Sequence, residues 1–171
     1  MKFGTIGKVA AALGMTSGLA AGTLMATAGS AFAASTPAFV SSVAISGSVA
    51  SPTVTVTGTG FGSIPRHGVA VANITSCTGQ SGTGAQAGMD YPKGELWVSD
   101  ATAGWSGGHF SEQGSSNCIG VNISSWSPTQ VVFTLGDGYG GTSGLGSFRD
   151  GDGVVVSVKG APGPTVVSGL S

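Results

Sequence analysis

Apolar and polar residues alternate in short runs along most of the chain. Residues Thr53–Thr57 read Thr-Val-Thr-Val-Thr, with Val54 and Val56 on one face and three threonines on the other. That period of two predicts a half-buried strand. The same pattern groups Val43 with Ile45 in Phe39–Ile45 and Val69 with Val71 in His67–Val71. It groups Ile119, Val121 and Ile123 in Asn117–Ile123, and Val131, Phe133 and Leu135 in Gln130–Leu135. It also groups Val154, Val156 and Val158 in Gly153–Lys159, after which Pro162 and Pro164 are expected to end the last strand. Glu95–Ser99 adds a short run, Leu96-Trp97-Val98. Thr78–Met89 and Gly136–Ser147 lack periodicity and read as long loops. No window carries a 3.6-residue apolar stripe, so no helix is predicted.

These runs predict an all-β chain, an immunoglobulin-like β-sandwich of about seven strands. The two ends of the sequence then decide what belongs to the fold. Lys2 and Lys8 form a basic start, Val9 to Ala26 is weakly apolar, and Ala31-Phe32-Ala33 is a small-x-small cleavage site. This is the layout of a secretory signal peptide cleaved after Ala33. Gly14, Thr16, Ser17, Gly18, Gly22 and Thr23 dilute the apolar run, whereas a membrane span needs about 20 mostly apolar residues. There is no Arg-Arg pair for the twin-arginine route and no cysteine near the cleavage site to carry a lipid. The expected organisation is a leader over residues 1–33 and a single domain over 34–171, secreted and without membrane insertion in its mature form. The long Ala/Gly-biased leader is of a bacterial, Gram-positive kind.

The mature chain has 138 residues, enough to bury roughly two-thirds of its unfolded surface. Four bases (Arg66, Lys93, Arg149, Lys159) face seven acids, a net charge of −3. Nucleic acid is excluded as a partner, because phosphate neutralisation needs clustered Lys and Arg. Anionic membrane surfaces are excluded on the same ground. The whole sequence holds 32 glycines, which suit turns and tight loops and oppose helices. Its two cysteines, Cys77 and Cys118, are expected to form one disulfide in an oxidising compartment. Chain entropy makes such a loop worth roughly 4 kcal/mol, less any native strain.

Two stretches carry a family resemblance. Ser51-Pro52-Thr53-Val54-Thr55-Val56-Thr57-Gly58-Thr59-Gly60-Phe61-Gly62 resembles the opening strand and "G-x-G-F" turn of IPT/TIG domains. Ser125-Trp126-Ser127-Pro128-Thr129-Gln130-Val131-Val132 resembles their "SWS-x-TQI" strand, and Gly151–Val158 sits where their final strand would fall. The resemblance spans about residues 39–160 and rests on these three blocks. It is interrupted between Pro65 and Cys118, where the chain is longer than the compact family unit and holds the cysteine pair. IPT/TIG domains are non-catalytic immunoglobulin-like modules, so the resemblance implies a binding or spacer role and specifies no ligand. Gly58, Gly60 and Gly62 are expected to supply positive φ in the turn, with Phe61 folded back as a core plug.

Chemistry-bearing patterns are thin. Gly104-Trp105-Ser106-Gly107-Gly108 fits G-x-S-x-G, but a nucleophile elbow needs a following helix and a distant histidine, and His109 is three residues on. His67, Asp100 and Ser143 fall in the order of a serine-protease triad, yet 138 residues do not readily make two barrels. Asp150-x-Asp152-Gly153 lacks the glutamate that an EF-type loop needs, since Ala161 stands there. Two lone histidines define no metal site. No cofactor or metal is expected.

Three aromatics in glycine-rich surroundings, Trp105, Phe110 and Tyr139, are the candidate ligand-binding residues. Rigid rings on loops make platforms for sugars or protein partners; alternatively they fold over the end of the sandwich and cap its core. Exposure of Trp105 and Tyr139 discriminates between the two. The expected function is a secreted, non-catalytic module engaging an extracellular polysaccharide or a cell-surface protein. The alternatives are a structural, self-assembling extracellular protein that uses its sheet edges and Thr/Ser faces, and a small secreted hydrolase. The sequence sets no oligomeric state.

Overall fold

Strands form where the period of two is strict, and the pairing that results is an all-β sandwich. The computed structural model describes residues 36–66, 68–74, 77, 87–92, 94–110, 118–140 and 146–171, with the side chains of His109 and Phe110 excepted. The expected leader, His67 and Ser143 lie outside the described residues. All described residues belong to one unit, Ala34–Ser171.

The strands are β1 (Phe39–Ser48), β2 (Ser51–Thr59), β3 (Val69–Ala70), β4 (Met89–Pro92), β5 (Leu96–Asp100) and β6 (Trp105–Gly107). They continue with β7 (His109–Phe110), β8 (Val121–Trp126), β9 (Gln130–Leu135), β10 (Gly153–Val158) and β11 (Ala161–Val166). A 3-10 turn at Val71–Asn73 is the helical element among the described residues. One sheet runs β1-β2-β9-β8-β4-β3, with β7 joined to β4; the other runs β11-β10-β5-β6. The pairs are antiparallel except β4 with β7. The inner faces meet in one core that includes Val54, Val56, Phe61, Leu96, Val98, Trp105, Val131, Phe133, Phe148, Val154 and Val156.

The two stretches singled out in the sequence meet in space. β2 pairs β9 with Val54 opposite Phe133 and Val56 opposite Val131, so both inward pairs are apolar. The turn after β2 is seated on the turn before β9: Gly58 N–H donates to Thr129 O and Phe61 N–H to Pro128 O. Trp126 Nε1–H donates to Phe61 O and Gly62 O at 3.3 and 3.2 Å. Phe61 itself is fully buried. The three glycines of this turn do different jobs. Gly60 and Gly62 have φ of +74° and +60°, as expected. Gly58 does not have positive φ; a Cβ there would lie 2.0 Å from Phe39 O and 2.6 Å from Phe61 Cζ. It is glycine for space.

Four strands depart from the expectation of about seven. Pro162 and Pro164 do not end the last strand; they sit inside β11, which returns beside β10 after a turn at Lys159-Gly160. β11 is an edge strand, the place where a missing N–H costs no ladder bond. β4 begins at Met89, the end of the expected loop, and places Asp90 inward, which breaks its alternation. β6 and β7 are three and two residues long and glycine-flanked. The predicted strand Asn117–Ile123 is shifted to Val121–Trp126. Cys118, at φ +62°, bends the chain before it, and Ile119 makes a single parallel bridge to Gly107.

Cys77 and Cys118 are bonded, with Cα atoms 5.3 Å apart across 41 residues. The bond sits in a second small core with Val71 and Ala87. It ties the enlarged region between β3 and β8 to the sheet.

Two measurements test this account. Gly58→Ala should cost about 3 kcal/mol through overpacking, whereas Gly62→Ala, with open space around its Cβ, should cost only the left-handed penalty of about 1–2 kcal/mol; urea unfolding of both variants reads the difference. Replacing both cysteines by alanine should lower unfolding free energy by about 4 kcal/mol on the chain-entropy estimate, and adding reductant to the parent should reproduce the shift.

Candidate functional site

Two of the three aromatic candidates are in the core. Trp105 is 2% exposed and Tyr139 is 7% exposed. The sugar-platform expectation for these two residues is therefore corrected: they cap the core. Trp105, Tyr139 and Phe148 pack as a triangle with ring centroids 5.0 to 5.7 Å apart, and the Trp105–Tyr139 pair is edge-to-face. Tyr139 Oη accepts the Phe148 N–H at 2.8 Å, which ties the Phe148 backbone to the Tyr139 ring. The flanking glycines explain why this segment is not a loop. A Cβ on Gly107 would meet Ile119 at 2.8 Å and one on Gly108 would meet Val121 at 2.8 Å. Glycine here permits close packing of β6 against the chain before β8. Phe110 contributes its backbone to β7, paired with Pro92; its side chain lies outside the described residues.

Beneath the aromatic triangle are two buried carboxyls. Asp100, fully buried, ends β5 and accepts the N–H groups of Thr102 and Ala103 on Oδ1 at 2.9 and 2.8 Å. Those bonds form the β5–β6 turn and set Asp100 directly opposite Trp105. Asp152, 5% exposed, closes the turn before β10, its Oδ2 accepting the Arg149 N–H at 2.7 Å. Thr102 Oγ1 accepts the Gly153 N–H, joining the two turns. The Asp100 and Asp152 carboxyls are within hydrogen-bonding reach of each other, and Asp100 Oδ2 meets no donor among the described residues. A bond between two carboxyls requires one of them to carry a proton.

Burial pushes the Asp100 carboxyl above the ordinary aspartate range; the Ala103 and Thr102 N–H groups oppose this, and Asp152 adds to it. Tyr139 is raised as well, first by burial, and by the two nearby carboxyls against the Phe148 bond. The Asp150-x-Asp152-Gly153 segment is thus a turn whose second aspartate faces the core.

The catalytic patterns are not assembled among the described residues. Ser106 lies on β6 inside a hairpin and the chain continues directly into β7, not into the helix that a nucleophile elbow places after its serine. Asp100 is committed to the β5–β6 turn and Asp152. No group of three or more His, Cys, Asp or Glu among the described residues could hold a metal ion.

The larger sheet presents an extended outward face. Pairing aligns Ser46, Thr53, Thr134 and Asn122 in one outward row, Ala44, Thr55, Val132 and Ser125 in the next, and Ser42, Thr57 and Gln130 in a third. β1, β2, β8 and β9 contain no charged residue. The sequence signal for this face was available in the threonines of Thr53–Thr57; what needed the structure was the register that sets them beside β1, β8 and β9. Set against family models, curated proteins and solved structures, the chain matches none.

The acid pair gives a pH prediction with a definite sign. A folded-state pKa above the unfolded value means that stability from this group is complete below the unfolded pKa and is lost as pH rises through the folded one. Asp100→Asn keeps an oxygen for Thr102 and Ala103 and offers Asp152 an N–H. It should raise unfolding free energy at neutral pH and flatten the decline that sets in as pH rises above the ordinary aspartate range; urea midpoints from acid to neutral pH check it.

Proposed function

We propose that this chain is a secreted, non-catalytic binding or spacer module of the IPT/TIG type, released by cleavage after Ala33, that engages a neutral extracellular polysaccharide through the outward face of β1, β2, β9 and β8. The observation that carries the reading is the absence of charge from those four strands together with their outward rows, which are Ser, Thr, Asn and Gln except for Ala44 and Val132. Hydroxyls and amides both donate and accept, so they match a polymer of hydroxyls without the desolvation cost of an ion. A face with no basic cluster offers nothing to an acidic partner. The burial of Trp105 and Tyr139 moves the reading away from an aromatic platform and onto this face. Individual contacts of this type are weak, so affinity depends on the rows engaging together.

Self-assembly is the second reading. Phe39 and Val166 are 61% and 64% exposed on β1 and β11, an edge strand of each sheet, which pack beside each other. Such residues suit a contact between copies.

Depletion of the purified protein from solution by insoluble neutral polysaccharides tests the first reading. We expect retention, and a fall of at least about tenfold for Thr55→Lys, a substitution that places one charge in the middle row. Sedimentation over a range of concentrations serves the second: growth of larger species, with no retention on any polymer, would transfer the function to assembly.

A further inference from the structure

A cavity lies apart from the sheet face. It has a volume of about 260 Å³ and is lined by Ser63, Ile64, Pro65, Arg66, Pro92, Glu95 and Lys159. Its walls come from three places: the segment after the β2 turn, the β4–β5 connection and the β10–β11 turn. The lining divides into an apolar part, Ile64, Pro65 and Pro92, and a charged part.

The charged part is not balanced. Lys159 Nζ donates to Glu95 Oε2 and forms an ion pair with it, and its backbone N–H donates to Glu95 O. Glu95 is therefore taken. Arg66 is exposed and has no hydrogen bond or ion pair among the described residues. Among the described residues the cavity thus holds one cation without a partner, Arg66, in a chain whose mature part has four basic residues in all.

A second observation is the backbone at Lys159. Val158 pairs with Ala161, so Lys159-Gly160 is a two-residue hairpin loop, and both residues have positive φ, +51° and +80°. Such a turn favours Asn, Asp or Gly at its first position. A lysine there costs free energy that asparagine would not, so its place is argued by its side chain. That side chain lines the cavity, held by Glu95, with its ammonium 6.0 Å from the centre of the Trp126 ring.

We infer that this cavity is a binding site for a small organic carboxylate with a branched apolar tail, the carboxylate meeting the Arg66 guanidinium and the tail lying on Ile64, Pro65 and Pro92. Guanidinium presents its donors in a planar fork that matches a carboxylate. A volume at the low end for ligand sites suits an acid of about the size of a single amino acid. The same chemistry is offered by a free branched acid and by the C-terminal residue of a peptide. None of the lining residues belongs to the hydroxyl rows, so this site and the polysaccharide reading stand or fall separately.

The test is titration of the purified protein, followed by backbone amide shifts, with 4-methylpentanoate, N-acetyl-leucine and N-acetyl-leucine amide, each to about 10 mM, where millimolar binding is visible. We expect at least one acid to shift amides around Arg66 and Lys159 and to bind about tenfold or more tightly than the amide. Tighter binding of the acetylated residue assigns the peptide source; tighter binding of 4-methylpentanoate assigns the free acid. Arg66→Gln should abolish the preference for acid over amide while leaving the melting temperature unchanged, because Arg66 is exposed and has no hydrogen bond or ion pair among the described residues. Equal binding of acid and amide, no binding of either acid, or an unaltered preference in Arg66→Gln would overturn the inference.

Discussion

The seating of the β2 turn on the β8–β9 turn is the contact on which the rest depends. Trp126 Nε1, Phe61 N and Gly58 N all donate across it, and the Phe61 ring fills the space that Gly58 leaves by lacking a Cβ. Ser127 Oγ accepts the Gln130 N–H at 2.9 Å and fixes the turn from the other side. With both turns clamped, β2 and β9 have one available register. A slip of one residue would send Val54, Val56, Val131 and Phe133 outward and the threonines inward. The same clamp therefore fixes the core and the composition of the exposed face. Because β1 pairs only with β2 in its sheet, its outward Ser42, Ala44 and Ser46 inherit their positions from it.

The opposite end is held by different means. Few charged side chains are present, and the fold uses two of them where they are hardest to accommodate. Asp100 and Asp152 each satisfy backbone N–H groups in a turn, which explains why a carboxyl is useful there at all: a turn whose amides point into the core needs an acceptor that comes with them. The cost is two carboxyls close together under three aromatic rings. Burial, with Asp152 adding to it, pushes the Asp100 carboxyl above the ordinary aspartate range, which is how that cost shows. Trp105 and Tyr139 belong to this end as its roof. Their burial follows from size as much as from position, since a domain with few large side chains gains most by burying each of them.

Legibility in the sequence followed the cleanness of the local pattern. β2, β9 and β10 have uninterrupted alternation and were read at nearly their true bounds. The disulfide was readable from cysteine number and compartment. β4 was hidden by a buried aspartate at an inward position, and β11 by two prolines that only an edge can accept. The segment around Trp105 is ambiguous in the sequence for a more general reason. Glycine marks both a free loop and a place where two backbones touch, and composition does not separate them; the contacts of Gly107 and Gly108 with Ile119 and Val121 do. The cavity was illegible because its residues are scattered from Ser63 to Lys159 and meet only after the sandwich closes. A lysine before glycine in a tight hairpin was its one local sign.

Charge in this molecule is sorted by location, and that sorting bears on function. Every charged residue among those described lies off β1, β2, β8 and β9: Arg66, Glu95 and Lys159 at the cavity, Asp100 and Asp152 under the rings, Asp90 inside, and Asp137, Arg149 and Asp150 on turns. Edge and surface strands usually carry charges because charge blocks unwanted pairing and stacking. Here β1, an edge, is guarded instead by a bulge between Val40 and Ser42 and by β11 packing along it. Thr165 Oγ1 donates to Val43 O across that seam. With the edge protected by geometry, the face is free to remain uncharged. A face kept neutral while its edge is guarded by other means is suited to lying flat against a neutral surface, and a single lysine in its middle row is the smallest change that would remove that property.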